Sequence, residues 1–531
     1  MFDILIKNGS VIDGTGSPKF TGTVGIKDGL ITTICNAASD HVEEQEASQI
    51  LDAGGKIICP GFIDIHSHGD FTLLQRPFSE DKIWQGVTTQ TIGHCGFSAA
   101  PLSKEWENLN SSELLGGIKA ASAKWLTFSD YLSVLERQTL GTNVAAFVGY
   151  GPIRMAVMGV SDKEPSKTEL GQMCKILEKA MNAGAFGLTT GLAYPPQCQA
   201  TTEELTTLCK VVASYGGLYA THVRDNTYDV GEGVREAIEI AKGSGVHLHI
   251  AHLQIRPNPK HNLKQLLSLM EQAREDGVEV TCDQYPYLAG QGPLTPLFPA
   301  WALGGGVEAI RQRMQDVHAR GRIKTYMGDV VEHYFKWGDI VLWSIEDETL
   351  KGRSILTLAN LWEKDPRDVA MDLLMDYGAS VSALYFGKTE EDLRAAAIWP
   401  YAMVGTDGVF NEEASHNHPR TFGTFPRMIR KYVREEKALA IEEAIRRMTS
   451  LTAQTLGLGN RGVLAKGKNA DVLIFDAETI FDTPSYELPV EKSRGIDFVI
   501  VNGQVVKAQS QDNQISAGAV LRFAKSGIGE R

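Results

Sequence analysis

Short apolar runs recur through the middle of this chain, and several of them lead into residues that can hold a metal ion. "PGFIDIHSHGD" carries His66 and His68, "TIGHCGFS" carries Cys95, "LYATHVRD" carries His222, "HLHIAHLQ" carries His252 and "YAMVGTDGVF" carries Asp407. Longer segments with helical spacing separate these runs. Alternation of that kind builds βα units around a parallel sheet. Candidate strands end near His66, Gly93, Gly149, Thr190, His222, His252, Tyr285 and Asp407. Eight such strands predict an α/β chain with a (β/α)8 TIM-type barrel, whose chemistry gathers at the C-terminal strand ends.

The two ends of the chain read differently. "FDILIKNGSVIDG" has two short apolar runs around Asn8-Gly9, a hairpin signal. "VGIKDGLITTI" repeats it at Asp28-Gly29, and "IDFVIVNGQVVKA" at Asn502-Gly503. These segments predict a small β-sandwich domain made from residues 1–56 and 460–531, with the barrel over 57–459. The gap from Tyr285 to Asp407 is too long for one helix and opens on the Gly- and Pro-rich "LAGQGPLTPLFPAW", so an inserted subdomain is expected over 288–345.

Composition removes some functions. The formal net charge is -13 and no Lys/Arg run stands out, which argues against a nucleic-acid partner. A small anionic substrate would need a local Arg or Lys to hold it against that field. The seven cysteines, 35, 59, 95, 174, 198, 209 and 282, are odd in number and form no CxxC, so neither a disulfide framework nor a zinc finger is read. "MFDILIKNGSVIDG" lacks a basic-then-apolar signal layout, and no run of about 18 apolar residues appears. The expectation is a cytoplasmic protein with reduced thiols, a small-molecule substrate and no membrane partner; the oligomeric state is left open.

Each candidate ligand has a bland reading on its own. A single strand-end histidine is more often structural, and Asp407 before Gly408 reads as a turn residue. The conjunction changes this. His66 and His68, two apart on a strand, face the same way. Together with Cys95, His222, His252 and Asp407 they place imidazole, thiolate and carboxylate groups at one barrel mouth. That is a zinc-type donor set. Cys95 as a nucleophile with His94 as its base is the alternative at that position.

The strings "DILIKNGSVIDGTGSP", "PGFIDIHSHGD", "GHCGFSAAP", "GAFGLTTGLAYPP", "THVRD", "IAHLQ", "YPYLAG", "GTDG", "HPRTFGTFPR" and "GKNADVLIFD" run along nearly the whole chain. In them the sequence resembles the D-aminoacylase (N-acyl-D-amino-acid deacylase) family of the amidohydrolase superfamily. The resemblance implies one tight zinc on Cys95, His222 and His252. It implies a second, weak or absent, on His66, His68 and Asp407, with Cys95 between the two. Arg420 would take the substrate α-carboxylate, helped by Tyr194 and Tyr285, and Asp407 would act as general base and acid. The chain departs from the family pattern at His94, commonly Asn, at Tyr150, commonly His, and at Gln254, often Lys. A neutral Gln254 in the substrate site points to N-acyl-D-amino acids with a neutral or apolar side chain. Cyclic-amide hydrolases of the same superfamily are the rival: "GLTTGLAYPP" lacks the lysine they carboxylate near the fourth strand. A non-catalytic binding barrel would be expected to have lost several of the ligands.

Overall fold

The computed structural model describes residues 1–38, 46–103, 125–224, 229–253, 262–378, 381–410 and 417–524. The chain opens on β1 (Phe2–Val11), β2 (Phe20–Lys27) and β3 (Leu30–Asn36), paired antiparallel in that order. Next come β4 (Ala47–Asp52) and β5 (Ile57–Pro60), which run parallel to the first and last parts of β1. Asp28-Gly29 makes the turn between β2 and β3, with φ of 52° and 75°. Asn8-Gly9 does not make a turn. It lies inside β1, where the register against β2 shifts between Ile6 and Gly9 and Asn8 has φ 58°. An Asn-Gly pair offers a left-handed residue to a bulge as readily as to a hairpin. Here both halves of β1 already have parallel partners, so the strand continues. Gly9 is required by close approach: a Cβ there would stand 2.1 Å from Ile58 Cδ1.

The barrel strands follow: β6 (Phe62–Asp64), β7 (Val87–Ile92), β8 (Asn143–Ala146), β9 (Val148–Gly149), β10 (Gly187–Gly191), β11 (Leu218–His222), β12 (His247–Ile250) and β13 (Val280–Gln284). β6, β7 and β8 pair in parallel, as do β9 through β13 in order, and Phe147 separates β8 from β9. Then β14 (Gly290–Pro293), β15 (Ile340–Ser344) and β16 (Ser382–Tyr385) form a three-stranded antiparallel sheet of their own. This sheet sits on a separate core that includes Leu294, Phe298, Ile323, Leu358, Leu373 and Tyr385. The body so formed runs from Gly290 to Tyr385, past residue 345, where the expected insertion ends. β17 (Ala402–Val404) returns in parallel to β13. A parallel bridge between Ser67 and Gly408 then joins the β17 end back to the segment after β6.

The last strands, β18 (Val472–Phe475), β19 (Ile496–Val501), β20 (Gln504–Ala508) and β21 (Gln511–Asp512), extend from β5, so both ends of the chain share one nine-stranded sheet. A final short strand, β22 (Val520–Leu521), pairs with β8. Strand alternation divides the small sheet between two cores. Val472 and Ile474 join Ile4, Val24 and Ile26, while Leu473 and Phe475 join Phe62, Phe425 and Ile445 under the barrel. Among the described residues no helix is long and apolar enough to cross a membrane.

The covering helices start where their sequences say they should. Lys167–Asn182 is capped by a reciprocal Ser166–Glu169 box and buries Met173, Leu177, Ala180 and Met181, one stripe at helical spacing. The departure at Tyr150 is absorbed into the fold. Tyr150 opens the helix Tyr150–Met158, is fully buried, and donates its hydroxyl to Glu204. Arg154 Nη1 donates to both Glu204 oxygens at 2.9 and 3.0 Å and to the Tyr150 oxygen at 3.0 Å. Glu204→Gln should therefore strand the Arg154 charge and lower stability by about 3–5 kcal/mol. Tyr150→Phe removes two hydrogen bonds, one given to Glu204 and one taken from Arg154, but leaves the ion pair, and should cost about 1.5–3 kcal/mol. Thermal midpoints of the two variants measure this; equal losses would show that the charge pair is not what the cluster supplies.

Candidate metal centre and active site

His66 and His68 follow β6, Cys95 follows β7, His222 ends β11, His252 follows β12 and Asp407 follows β17. Three of these have left-handed backbone: Cys95 at φ 51°, His252 at φ 35° and Asp407 at φ 46°. Non-glycine residues seldom adopt that conformation, and each instance costs on the order of 1–3 kcal/mol. The strain is held by neighbours. Gln197 Nε2 donates to the Cys95 carbonyl at 3.2 Å, and Gln197 Oε1 accepts from Gly191 N at 2.8 Å, tying the Cys95 loop to the end of β10. The glycine after Cys95 makes room for this clamp, since a Cβ on Gly96 would meet Gln197 Oε1 at 1.7 Å.

The donors converge. One ligand atom each from His66, Cys95, His252 and Asp407 lies within 4.8 Å of the others, all four residues being buried. Cys95 Sγ is 3.5 Å from His66 Nε2, 3.5 Å from His252 Nε2 and 3.9 Å from His222 Nδ1. His222 Nδ1 lies 2.9 Å from His252 Nε2, and Tyr194 OH lies 3.3 Å from the same His222 nitrogen. His68 Nε2 is 3.1 Å and His66 Nε2 3.4 Å from Asp407 Oδ1. The six sequence candidates thus form one continuous cluster. His94 stands outside it. Its Nε2 pairs with Thr91 Oγ1 at 2.8 Å and its ring stacks on His66 at 4.4 Å.

Burial opposes a charged thiol at Cys95, yet the imidazoles of His66 and His252 outweigh it and hold the thiol well below its usual range. Burial likewise opposes charge on Asp407, and the Arg420 guanidinium, with His66 and His252, holds that carboxyl well below the usual carboxylate range. A thiolate, a carboxylate and several imidazoles buried at one point suit a soft or borderline divalent cation such as zinc.

Arg420 begins the helix Arg420–Arg427, and its backbone N–H donates to His418 Nδ1 at 3.0 Å. Its Nη1 stands 2.7 Å from Asp407 Oδ2, and its Cζ lies 4.6 Å from the Tyr285 ring centre. The buried Nε of Arg420 has no hydrogen-bond partner among the described residues. Gln254, the remaining candidate, lies outside the described residues.

Comparison with known proteins decides the family. The sequence profile of the Amidohydrolase family matches residues 49–381 and 400–507. This chain belongs to the amidohydrolase family. The N-acyl-D-glutamate deacylase of Alcaligenes xylosoxydans xylosoxydans is 33% identical to it over 98% of this chain and 96% of that protein. A crystal structure of N-acyl-D-glutamate deacylase from Bordetella bronchiseptica, complexed with zinc and a phosphonate inhibitor that mimics the tetrahedral intermediate, superposes with a TM-score of 0.83. It is 32% identical, over 98% of this chain and 99% of the other. A D-aminoacylase structure described by one-metal activation and second-metal attenuation of its binuclear centre gives a TM-score of 0.83 at 31% identity, over 98% and 100% of the two chains.

The structure of this amidohydrolase also places residues at the site that the sequence reading passed over. Asp283 and His249 lie in the barrel interior behind His66. Lys388, nine-tenths buried, has its Nζ 4.0 Å from the Tyr285 ring centre. Two of these had a signal: Thr281 and Asp283 stand two apart in "VTCDQ" and His247 and His249 two apart in "HLHI", so each pair shares a strand face. Lys388 follows the last strand of the inserted body and had none.

The cluster makes a direct prediction. Cys95→Ala removes the strongest zinc ligand of the set, so the purified variant should lose stoichiometric zinc by elemental analysis while staying folded by circular dichroism. Full zinc content in this variant would remove Cys95 from the ligand set.

Proposed function

We propose that this amidohydrolase cleaves the amide bond of N-acyl-D-amino acids, releasing a carboxylate and a free D-amino acid, with zinc as its metal. The observation that carries this reading is the buried meeting of His66, Cys95, His252 and Asp407 within 4.8 Å, with Arg420 fixed 2.7 Å from Asp407. It brings a metal-type donor set, a carboxylate and a carboxylate-binding cation into one place. Cys95, His222 and His252 would hold the tighter zinc; His66, His68 and Asp407 would hold a second weakly or not at all. Bound zinc would act as a Lewis acid, lowering the pKa of a water molecule from about 15.7 toward ~7 and polarising the scissile carbonyl.

The chain's own residues do the rest. Asp407 takes the proton of the attacking water on a carboxylate oxygen and returns it to the leaving nitrogen. Arg420 offers the edge that carries Nε, an atom with no hydrogen-bond partner among the described residues, to the substrate α-carboxylate while Nη1 faces Asp407. The carboxylate, the carbonyl and the side-chain pocket are three fixed points, which is what lets the site tell one hand from the other. Tyr194 and Tyr285 wall the substrate on two sides. The neutral side chain expected from Gln254 rests on sequence alone. A specific observation favours a second reading, an acidic side chain: Lys388 places an ammonium against Tyr285, the ring that Arg420 also covers. A panel of N-acetyl-D-amino acids with apolar, neutral polar and acidic side chains, with their L counterparts, decides between the two. No hydrolysis of any D substrate by the zinc-loaded protein would overturn the function itself. We place the reaction in the cytoplasm, where Cys95 stays reduced. We also take 1–56 with 460–531 as the small β domain, carried on to residue 60 because β5 joins its sheet, and the residues from there to 459 as the barrel that carries the inserted body.

Two variants separate chemistry from recognition. Asp407→Asn cannot accept the proton and should lower kcat by about 10²- to 10⁴-fold with the tighter zinc retained. An ordinary kcat in the folded variant would refute the assigned base. Arg420→Lys cannot copy a two-point grip on a carboxylate. It should cut kcat/KM steeply with zinc content unchanged, and methyl esterification of the substrate should cripple the parent far more than the variant. Equal turnover of acid and ester by the parent would exclude the clamp.

A further inference from the structure

Behind the donor cluster lies a buried chain of polar side chains that none of the roles above uses. His66 Nδ1 stands 3.0 Å from Asp283 Oδ2, and both side chains are fully buried. His249 Nε2 stands 2.9 Å from the same oxygen. His249 Nδ1 in turn meets Thr281 Oγ1 at 2.9 Å, and His249 and Thr281 are register partners on β12 and β13. The donors sort themselves. An ionised Asp283 can only accept, so a His249 proton on Nε2 points at it, and the Thr281 hydroxyl, which also lies 3.4 Å from the Leu248 carbonyl, is left to face Nδ1. The His66 proton is on Nδ1 and points at the same oxygen. His66 Nε2 is then left with its lone pair facing Cys95 Sγ at 3.5 Å and Asp407 Oδ1 at 3.4 Å.

We infer that Asp283, anchored by His249, is a positioning residue that fixes the tautomer and ring plane of His66 so that Nε2 is presented to a metal ion. A carboxylate kept only for stability would be expected to have both oxygens satisfied. Here Oδ1 has no hydrogen-bond partner among the described residues, while Oδ2 takes two imidazoles. The surroundings guard this arrangement. A Cβ on Gly405 would come within 2.6 Å of His66 Cβ and 2.9 Å of Asp283 Oδ1. A carboxylate that receives the second ring N–H of a ligating histidine both orients the ring and strengthens it as a ligand. The inference rests on the metal reading of the cluster and adds that the second position is set from behind, by Asp283.

The test is metal affinity rather than turnover. Asp283→Asn keeps the shape and removes the charge. Chelator competition should show zinc held 10- to 100-fold more weakly at the position that includes His66, and the visible spectrum of the cobalt-substituted protein should shift. His249→Gln, which leaves the carboxylate and removes one of its anchors, should give a smaller loss in the same direction. Melting of the metal-free proteins identifies folded samples. Wild-type zinc affinity with a wild-type cobalt spectrum in folded Asp283→Asn overturns the proposal. If that variant does not fold, wild-type values in His249→Gln overturn it instead. The parent is titrated first: one that takes up a single equivalent of zinc or cobalt and no second leaves His66 Nε2 without an ion and also overturns the inference, whereas one that binds neither metal defeats the metal reading beneath it, a separate outcome.

Discussion

The site depends on the seam between the ends of β6 and β17. Asp64, at the end of β6, accepts from the Thr406 backbone at 2.9 Å and from its hydroxyl at 2.7 Å, across 342 positions of sequence. Lys82 lies 3.2 Å from the same carboxylate and 3.0 Å from the Thr406 hydroxyl. Asp407 N–H then donates to the His66 carbonyl at 2.8 Å, and His68 N–H to the Gly408 carbonyl at 2.9 Å. Without this join the first and last strands of the ring would leave His66 and His68 apart from Asp407. The seam is polar and fully buried. Breaking one partner of such a network leaves charges without compensation, so the register it sets is steep in energy.

The seam holds the strained backbone at one donor, Asp407, and separate hydrogen bonds hold it at the other two. Gln197 clamps the Cys95 carbonyl, and the N–H groups of Ala251 and Leu253, on either side of His252, donate to the Thr221 and Asp283 carbonyls at 2.9 and 2.8 Å. A metal ion would add to this coupling. Ligands brought together in the folded chain repel or desolvate one another until a cation offsets them, so binding energy is returned as stability. The inserted body comes near this site at Gly292, where a Cβ would stand 3.9 Å from the Tyr194 hydroxyl.

Much of this was legible in the sequence, for identifiable reasons. Donor residues at strand ends are visible because two signals coincide, the close of an apolar run and a side chain that has no reason to be apolar. All six came together. Asn8-Gly9 misled because a dipeptide reports a local φ preference, while strand continuation depends on partners as distant as Ile57 and Ile58. Asp283 and His249 were passed over because a polar residue within a strand looks like an exposed face, and only the closed ring turns that face inward. The far limit of the inserted body was hidden for a like reason: "SALY" becomes a strand by pairing with Gly290–Pro293 and Ile340–Leu342.

Net charge deserves a different weight from the one it carries in the sequence. At -13 the whole molecule repels an anionic substrate, but exposed charges are screened beyond a Debye length of about 8 Å at physiological salt. Inside the barrel mouth the balance is local. Arg420 and Lys388 are nine-tenths or more buried beside Tyr285, and Arg420 is shared with Asp407 at 2.7 Å. A guanidinium so placed is screened little, because water has been excluded from around it. Under the proposed role of Arg420, an incoming carboxylate would meet a field set by a few residues close by. Bulk acidity would then slow encounter without deciding what is held, and specificity would be left to the geometry of Arg420, Tyr285 and whatever side chain the pocket accepts.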